Sequence, residues 1–278
     1  MNTQLSETEQ TFPDLLDVER VEEDTFRGWC HAALPLRAFG GQVAAQALVA
    51  AGRTVPESRR VHSLHSYFVR TGRTDLPIAY LVDRTRDGRS FATRRVTAVQ
   101  RGEAIFTLSA SFQEPEIGVE HQAPMPNVAP AVKLDLLEED ESPQSSAMLR
   151  ASRMGIVLDI RLAGYDVGQP SQQLWVRTRD RLCDDPLLHV CALTYVSDLK
   201  LATTPALPHE ANGSFQFTSL DHALWFHRDF RADEWLLFTQ HSPTASSSRG
   251  LATGAFFTED GRHVASVVQE VLLRPARA

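Results

Sequence analysis

Two stretches of the chain share one pattern of alternating hydrophobic and polar residues. Each consists of two alternating segments around a glycine, at Arg101-Gly102 within Arg94–Gln113 and at Asp260-Gly261 within Gly250–Arg274. Alternation with a period of two is typical of a β-strand that buries one face. Because glycine tolerates the positive φ of a tight turn, each stretch is predicted to form a β-hairpin.

A helix is predicted before the strands of each half. Gly40–Gly52 is apolar on most faces, which is typical of a buried helix, and Gly52 is a suitable stop. In the second half, Ser197 and Asp198 are predicted to cap the start of a helix that Pro205 ends or bends. The apolar residues 187–196 before it are predicted to form a strand that places Cys191 in the core.

The two halves therefore resemble each other in the order of their elements. The segments HSYFVR at residues 65–70 and HALWFHR at residues 222–228 lie upstream of the two hairpins and strengthen the match. A buried helix followed by a long antiparallel sheet, repeated once, predicts an α+β fold. We predict a double hotdog, in which each sheet wraps its helix and the two sheets join into one.

Prolines concentrate in the middle of the chain. Five of the fifteen lie between Pro115 and Pro143, and the acidic run Glu138–Glu141 lies there too. Proline fixes φ and removes a hydrogen-bond donor, so a long helix or a central strand is excluded here. We predict an N-terminal hotdog domain over residues 1–115, a linker over 116–150, with room for a short helix near Ser145–Ser152, and a C-terminal hotdog domain over 151–278.

Composition narrows the classes of function. The chain of 278 residues is 42% hydrophobic and 23% charged, as in an ordinary globular protein, and its net charge of −7 argues against nucleic-acid binding. The longest nearly apolar run, around Val43–Ala51, is too short to span a bilayer, and the N-terminus has no signal pattern. We therefore expect a cytoplasmic protein without stable membrane anchoring.

Several common chemistries lack their motifs. The chain has no GxSxG, GxxxxGK[ST], GxGxxG or HExxH segment, and its three cysteines are odd in number and lack CxxC spacing. We expect no metal and no redox cofactor. His62 and His65 are interpreted as structural, and Asp221-His222 is not assigned to catalysis because adjacent strand residues face opposite sides.

Several motifs, in order along the chain, carry a resemblance to a known family. They include FGGQV at residues 39–43, VHSLHSYF at 61–68, RDGRSF at 86–91, SDL at 197–199, LDH at 220–222, WFHR at 225–228 and VQE at 268–270. Together they resemble the bacterial acyl-CoA thioesterase II family, whose eukaryotic relatives are peroxisomal acyl-CoA thioesterases. The resemblance extends from about Leu15 to Arg274.

This resemblance implies a double hotdog that hydrolyses acyl-CoA to a free fatty acid and coenzyme A. Family members hold a water with an Asp, a Thr or Ser, and a Gln, which match Asp198 at the expected start of the second helix, Ser219 and Gln269. Ser219 stands where members often carry Thr and keeps the hydroxyl group. The resemblance also implies a homo-oligomer, either a dimer or a tetramer.

The chemistry of these three residues agrees with that role. Water attacks a thioester poorly until a base takes part of its proton, and Asp198 is the only carboxylate of the three. Ser219 and Gln269 can orient the same water toward the carbonyl carbon. Without the resemblance, Asp198 would be interpreted as a helix cap and Gln269 as an exposed strand residue.

Candidate substrate-binding residues are less specific. Six arginines lie within residues 84–101, and among them Arg86, Arg89, Arg94 and Arg95 are predicted to hold the phosphates of coenzyme A. The alternative is a solvated hairpin face. Backbone N–H groups at a helix start, near Gly40 and Gly41, are the expected source of donors to the thioester carbonyl oxygen, and the location of this oxyanion site is left open.

Two alternative functions remain open at this point. One is a non-catalytic acyl-CoA-binding double hotdog, and the other is a hotdog dehydratase relative. A dehydratase should carry a His and an acid on its buried helix, and Gly40–Gly52 has neither. The preferred acyl chain length is left undetermined.

Overall fold

The chain forms one large antiparallel sheet that encloses two helices. The computed structural model describes residues 11–30, 32–34, 37–137, 157–165 and 168–276. Within them, thirteen strands form a continuous sheet and a separate two-stranded sheet lies ahead of the first long helix. The fold is α+β, as predicted.

The first half consists of a short helix, two pairs of short antiparallel strands, a long helix and four longer strands. Its elements are α1 (Phe12–Leu16), β1 (Glu19–Glu22), β2 (Thr25–Gly28), β3 (Ala32–Leu34), β4 (Arg37–Ala38), α2 (Gly40–Gly52), β5 (Arg60–Phe68), β6 (Ile78–Asp87), β7 (Phe91–Gln100) and β8 (Glu103–Gln113). The predicted helix Gly40–Gly52 and the predicted turn at Arg101-Gly102, where both residues have positive φ, are confirmed.

The second half repeats the first strand pair, the long helix and the four longer strands of this order. Its elements are β9 (Leu158–Tyr165), β10 (Ser171–Thr178), α3 (Pro186–Ser197), a run of 3-10 turns (Leu201–Asn212), β11 (Phe215–Ser219), β12 (Asp221–Phe226), β13 (Leu236–Ser246), β14 (Arg249–Thr258) and β15 (His263–Pro275).

The halves meet at the centre of the sheet. The strand order is β1-β2-β6-β7-β8-β5-β12-β15-β14-β13-β10-β9, and β11 also pairs with β15. β5 and β12 pair antiparallel with Leu64 opposite Leu224, so the order on one side of this pair repeats on the other. The predicted double hotdog with two joined sheets is confirmed.

Glycines let the two long helices pack closely in opposite directions. A Cβ atom at Gly41, near the start of α2, would lie 2.5 Å from the backbone oxygen of Tyr195 near the end of α3. At the other end, a Cβ atom at Gly52 would lie 2.5 Å from the side chain of Leu187. The apolar faces of both helices enter one core with the inner face of the sheet.

The predicted boundaries of the second helix are wrong. Residues 187–196, predicted as a strand, lie inside α3, which ends at Ser197, where the helix was predicted to begin. A short apolar run does not distinguish a buried strand from a buried helix. The start signal is Asp185, whose carboxylate accepts the N–H of Leu187 at 2.9 Å, followed by Pro186 in the first turn. Cys191 is buried in the core, as expected.

The proline-rich connector packs against the second half over its described part, residues 114–137. Trp175 Nε1 donates to the carbonyl of Ala129 at 2.9 Å, and Arg161 donates to the carbonyl of Leu134 at 2.7 Å. The connector covers an apolar patch on the outer face of the sheet, formed by Trp175, Trp235, Leu237 and Phe257. The acidic run and the short helix near Ser145–Ser152 lie outside the described residues, and the domain boundaries stay a prediction.

Candidate active site

Gln269 joins three separate elements in the interior. It lies in the middle of β15 and is fully buried. Its amide nitrogen donates to Oδ1 of Asp198 at 3.0 Å and to Oγ of Ser219 at 2.6 Å. Asp198 is the C-cap residue of α3, and Ser219, which is half-buried, is the last residue of β11. The structure thus brings the three predicted residues into one hydrogen-bonded cluster.

Asp198 stands at the end of one helix and at the start of the other. The sequence predicted that it begins its own helix, whereas it follows the last residue of α3. Its Oδ2 accepts the backbone N–H of Gly41, in the first turn of α2, at 2.9 Å. The N-terminal dipole that favours its negative charge therefore belongs to the helix of the other half.

Glycine at position 40 is required by this contact. A Cβ atom at Gly40 would lie 2.9 Å from Oδ2 of Asp198 and equally close to the ring of Phe68. The N–H of Gly41 is engaged by Asp198, so it is not free for a thioester oxygen in this arrangement. A role of Gly40 in binding the carbonyl oxygen stays a prediction.

Burial changes the protonation of Asp198. Removal from solvent raises the pKa of this carboxyl to about 6, and the hydrogen bonds from Gln269 and Gly41 and the charge of Arg37 oppose the rise only in part. A carboxylate with a pKa near neutrality is well matched to a general base, because it is ionised at pH 7 and still takes up a proton.

His222 is a member of the site that the sequence interpretation missed. Its Nδ1 lies 3.1 Å from Oε1 of Gln269, and its Nε2 lies 2.8 Å from Oγ of Ser197. Burial lowers the pKa of this imidazole to about 4, so the ring is neutral at pH 7. The neighbouring Asp221 instead accepts the backbone N–H of Glu270 at 2.7 Å. Strand alternation separates the pair as expected, but it points His222 inward toward Gln269.

The predicted phosphate ligand Arg94 is a structural residue. Its guanidinium is buried, and its five N–H groups donate to the hydroxyl and carbonyl of Thr54, the carboxylate of Asp87 and the carbonyls of Arg86 and Thr93. No donor is left for a phosphate, and this part of the clamp prediction is not supported.

The other three arginines are exposed but lie far from Asp198. Arg94 anchors their hairpin, β6–β7, to Thr54, two residues beyond the end of α2. Asp198 contacts the start of α2, and a helix of this length spans about 20 Å. Arg86, Arg89 and Arg95 therefore lie at the opposite end of α2 from the cluster, and their contact with coenzyme A stays a prediction.

The two other singled-out histidines make contacts across the sheet. His62 Nε2 lies 2.8 Å from Oγ of Ser111, and the ring of His65 packs edge-on against Trp225. Across the described residues, no group of three or more His, Cys, Asp or Glu side chains is placed to hold a metal ion. No helix in the described part of the chain is long and apolar enough to cross a membrane.

Family models match both halves of the chain. Residues 27–113 match the model described as the acyl-CoA thioesterase N-terminal domain, and residues 154–272 match the model described as acyl-CoA thioesterase. The chain is 39% identical to the human acyl-coenzyme A thioesterase 8, in an alignment covering 94% of this chain and 88% of the human protein.

Solved structures agree with these matches. An acyl-CoA thioesterase II from Mycobacterium marinum superposes with a TM-score of 0.82 at 44% identity, covering 95% of this chain and 98% of that one. A protein of unknown function from Alicyclobacillus acidocaldarius, described as having a hot dog fold, superposes with a TM-score of 0.77 at 20% identity, covering 96% and 98%, and shows the fold alone. The chain belongs to the acyl-CoA thioesterase family.

Proposed function

We propose that this chain hydrolyses acyl-CoA thioesters to a free fatty acid and coenzyme A by direct attack of water. The observation that carries the mechanism is the cluster of Asp198, Gln269 and Ser219. The amide nitrogen of Gln269 donates to both Asp198 and Ser219, and the three residues come from different elements. Both amide hydrogens of Gln269 are used, so the amide holds the carboxylate and the hydroxyl side by side. Asp198 and Ser219 then provide the free lone pairs and the hydroxyl proton that hold the water.

The reaction needs a base that activates the water, and the electrophile is the carbonyl carbon of the thioester. Asp198 takes a proton from the water as the water oxygen bonds to the thioester carbonyl carbon, which gives a tetrahedral intermediate. Collapse of the intermediate breaks the carbon–sulfur bond and releases the coenzyme A thiolate, and the proton held by Asp198 passes to the sulfur. The fatty acid retains the oxygen that came from water.

Burial excludes two of the three cysteines as nucleophiles for a covalent thiol intermediate. Cys30 and Cys191 are both buried. Burial raises the pKa of Cys30 to about 12 and raises the pKa of Cys191 as well. Since the thiolate is the nucleophilic form, neither side chain is reactive at neutral pH.

Replacing Asp198 by Asn tests the proposed base. The variant keeps the shape of the side chain and removes the charge, so we expect kcat to fall by at least about 100-fold, the scale of a lost general base. The measurement is thiol release from acyl-CoAs of graded length, which also reports the chain-length preference.

The matched control is Asp83→Asn, because Asp83 is exposed on β6. This variant should keep wild-type turnover. Near-wild-type hydrolysis by a folded Asp198→Asn protein would contradict the role of Asp198. A wild-type protein that binds acyl-CoA without releasing thiol would favour the non-catalytic alternative.

We also propose that the chain self-associates. Its outer face on the first half exposes Tyr67 at 64% and Leu81 at 44%, and these residues lie in one row across β5, β8, β7 and β6. Burying such side chains against a second copy would be favourable. Light scattering at micromolar concentration should give a multiple of 30.9 kDa. A monomeric mass would contradict self-association and leave the hydrolase proposal intact.

A further inference from the structure

The hydrogen bonds of Gln269 continue away from Asp198 through two more buried residues. Oε1 of Gln269 lies 3.1 Å from Nδ1 of His222, and Nε2 of His222 lies 2.8 Å from Oγ of Ser197. Oγ of Ser197 lies in turn 2.8 Å from the carbonyl oxygen of Thr194. Gln269, His222 and Ser197 are each 0% exposed, so water does not compete for these contacts.

The carboxylate of Asp198 sets the direction of the hydrogen bonds from Gln269 to His222 and from His222 to Ser197. Its oxygens only accept, so the amide of Gln269 must turn its nitrogen toward Asp198 and its oxygen toward His222. The oxygen then requires a proton on Nδ1 of His222. Because burial keeps the ring neutral, Nε2 carries no proton and accepts from the hydroxyl of Ser197. The single proton of that hydroxyl lies within reach of both Nε2 and the carbonyl of Thr194, and in this state it is donated to Nε2.

We propose that His222, together with Ser197, is a positioning residue that locks the amide of Gln269 in the orientation needed to hold Asp198 and Ser219. The backbone of His222 is itself fixed, since its carbonyl accepts the hydroxyl of Ser66 at 2.7 Å and β12 pairs with strands on both sides. The catalytic consequence rests on the proposed function, whereas the direction of the bonds does not.

The geometry also predicts that Asp198→Asn reverses the direction of the hydrogen bonds between Gln269, His222 and Ser197. An Asn at position 198 that accepts from Gly41 would present its amide nitrogen to Gln269, and the amide of Gln269 would then turn over. Its nitrogen would donate to Nδ1 of His222, whose proton would move to Nε2 and face Ser197. The hydroxyl of Ser197 can then donate to the carbonyl of Thr194, which already lies within reach.

Histidine tautomers in the whole protein report the direction without any need for activity. Long-range proton–nitrogen NMR spectra should show His222 of the wild type as a neutral ring protonated on Nδ1 at pH 7. Asp198→Asn should convert it to the Nε2-protonated form. The signal is assigned by its loss in His222→Asn. A wild-type ring protonated on Nε2, or an unchanged tautomer in Asp198→Asn, would overturn the proposal.

Kinetics test the positioning role with a matched pair of variants. His222→Leu keeps the bulk and removes the donor, whereas the amide nitrogen of His222→Asn can take the place of Nδ1. We expect kcat to fall about tenfold or more in the Leu variant and about threefold or less in the Asn variant, with KM little changed in either. Equal kcat values for the two variants would contradict the role.

His65→Leu is the control, because His65 lies on the exposed face of β5 outside the site, and this variant should keep wild-type kinetics. The two proposals fail separately. A wild type without thioester hydrolysis contradicts the proposed function while leaving the tautomer result valid. An active wild type with His222 protonated on Nε2 contradicts only the positioning role.

Discussion

At the scale of single residues, Asp198 lies in a buried environment that disfavours its negative charge, and hydrogen bonds compensate for part of this cost. Burial disfavours its charge, while the N–H groups of Gly41 and Gln269 stabilise it. The two effects leave the pKa of the carboxyl at about 6. The carboxyl is therefore ionised at pH 7, and its pKa is close enough to pH 7 for it to take up and release a proton during turnover.

This pKa predicts the pH dependence of the reaction. Only ionised Asp198 can act as the base, so kcat/KM should be half-maximal near pH 6 and should fall about tenfold for each further unit toward acid. A pH profile measured with one acyl-CoA in a constant-ionic-strength buffer checks it. A flat profile down to pH 5 in a folded protein would contradict the assignment of Asp198.

Stability provides an independent check with a definite sign. The native pKa of Asp198 is raised, so the native state holds this proton more tightly than the unfolded chain does. The resulting stabilisation is fully present below the unfolded pKa of about 3.9 and is lost as the pH rises through about 6. The free energy of unfolding of Asp198→Asn, measured by chemical unfolding and compared with that of the wild type, should therefore be most favourable to the variant above pH 6. A difference in this free energy that does not depend on pH would count against the raised pKa.

At the scale of elements, Arg94 fastens a hairpin to a helix. Its buried guanidinium joins the β6–β7 hairpin, through Arg86 and Asp87, to Thr54 beyond the end of α2. A buried cation of this kind is tolerated because every donor is satisfied. Arg94, one of the six arginines within residues 84–101, therefore has a structural role, since it attaches the β6–β7 hairpin to the end of α2.

Arg94→Met tests whether Arg94 stabilises the fold or binds a phosphate of coenzyme A. We expect the free energy of unfolding to fall by about 2–3 kcal/mol, because the carbonyl of Thr54 and the carboxylate of Asp87 lose their partner. KM for acyl-CoA should stay near wild type in the folded enzyme. The paired variant is Arg95→Met, exposed on the same strand, which should leave stability unchanged. A raised KM with normal stability in Arg94→Met would restore the phosphate interpretation.

At the scale of the whole molecule, neither half is complete alone. β5 is paired with β12 across the middle of the sheet, α2 packs on α3, and the N–H of Gly41 in the first half completes the carboxylate site of the second. Separating the halves would expose a sheet edge and an apolar helix face at once.

Residues 1–115 expressed alone should therefore be insoluble or should dimerise through β5 and α2. Co-expression with residues 116–278 is the control and should restore a soluble complex that hydrolyses acyl-CoA. Size-exclusion chromatography with light scattering distinguishes these states. A stable, well-folded monomer of the fragment would show that the halves are independent domains.

The sequence by itself determined the features that depend on local pattern. Alternation and the turns at Gly102 and Gly261 indicated the hairpins, and the Ala-rich stretch 40–52 indicated the first buried helix. The duplication indicated two joined sheets, and the ordered motifs indicated the family. These signals are readable because strand and helix periods and turn conformations are encoded over a few neighbouring residues.

The tertiary structure decided everything that depends on which elements meet. The apolar run before Asp198 has no periodicity that separates helix from strand, and although Asp185 and Pro186 mark where a helix begins, the place of Asp198 beside the first turn of α2 depends on how the two helices pack. His222 acquired its place through the register of β12 against β15, and Arg94 lost its expected role because Thr54 and Asp87 fold around it. Contacts between residues far apart in the chain depend on the whole fold, and no short segment carries that information.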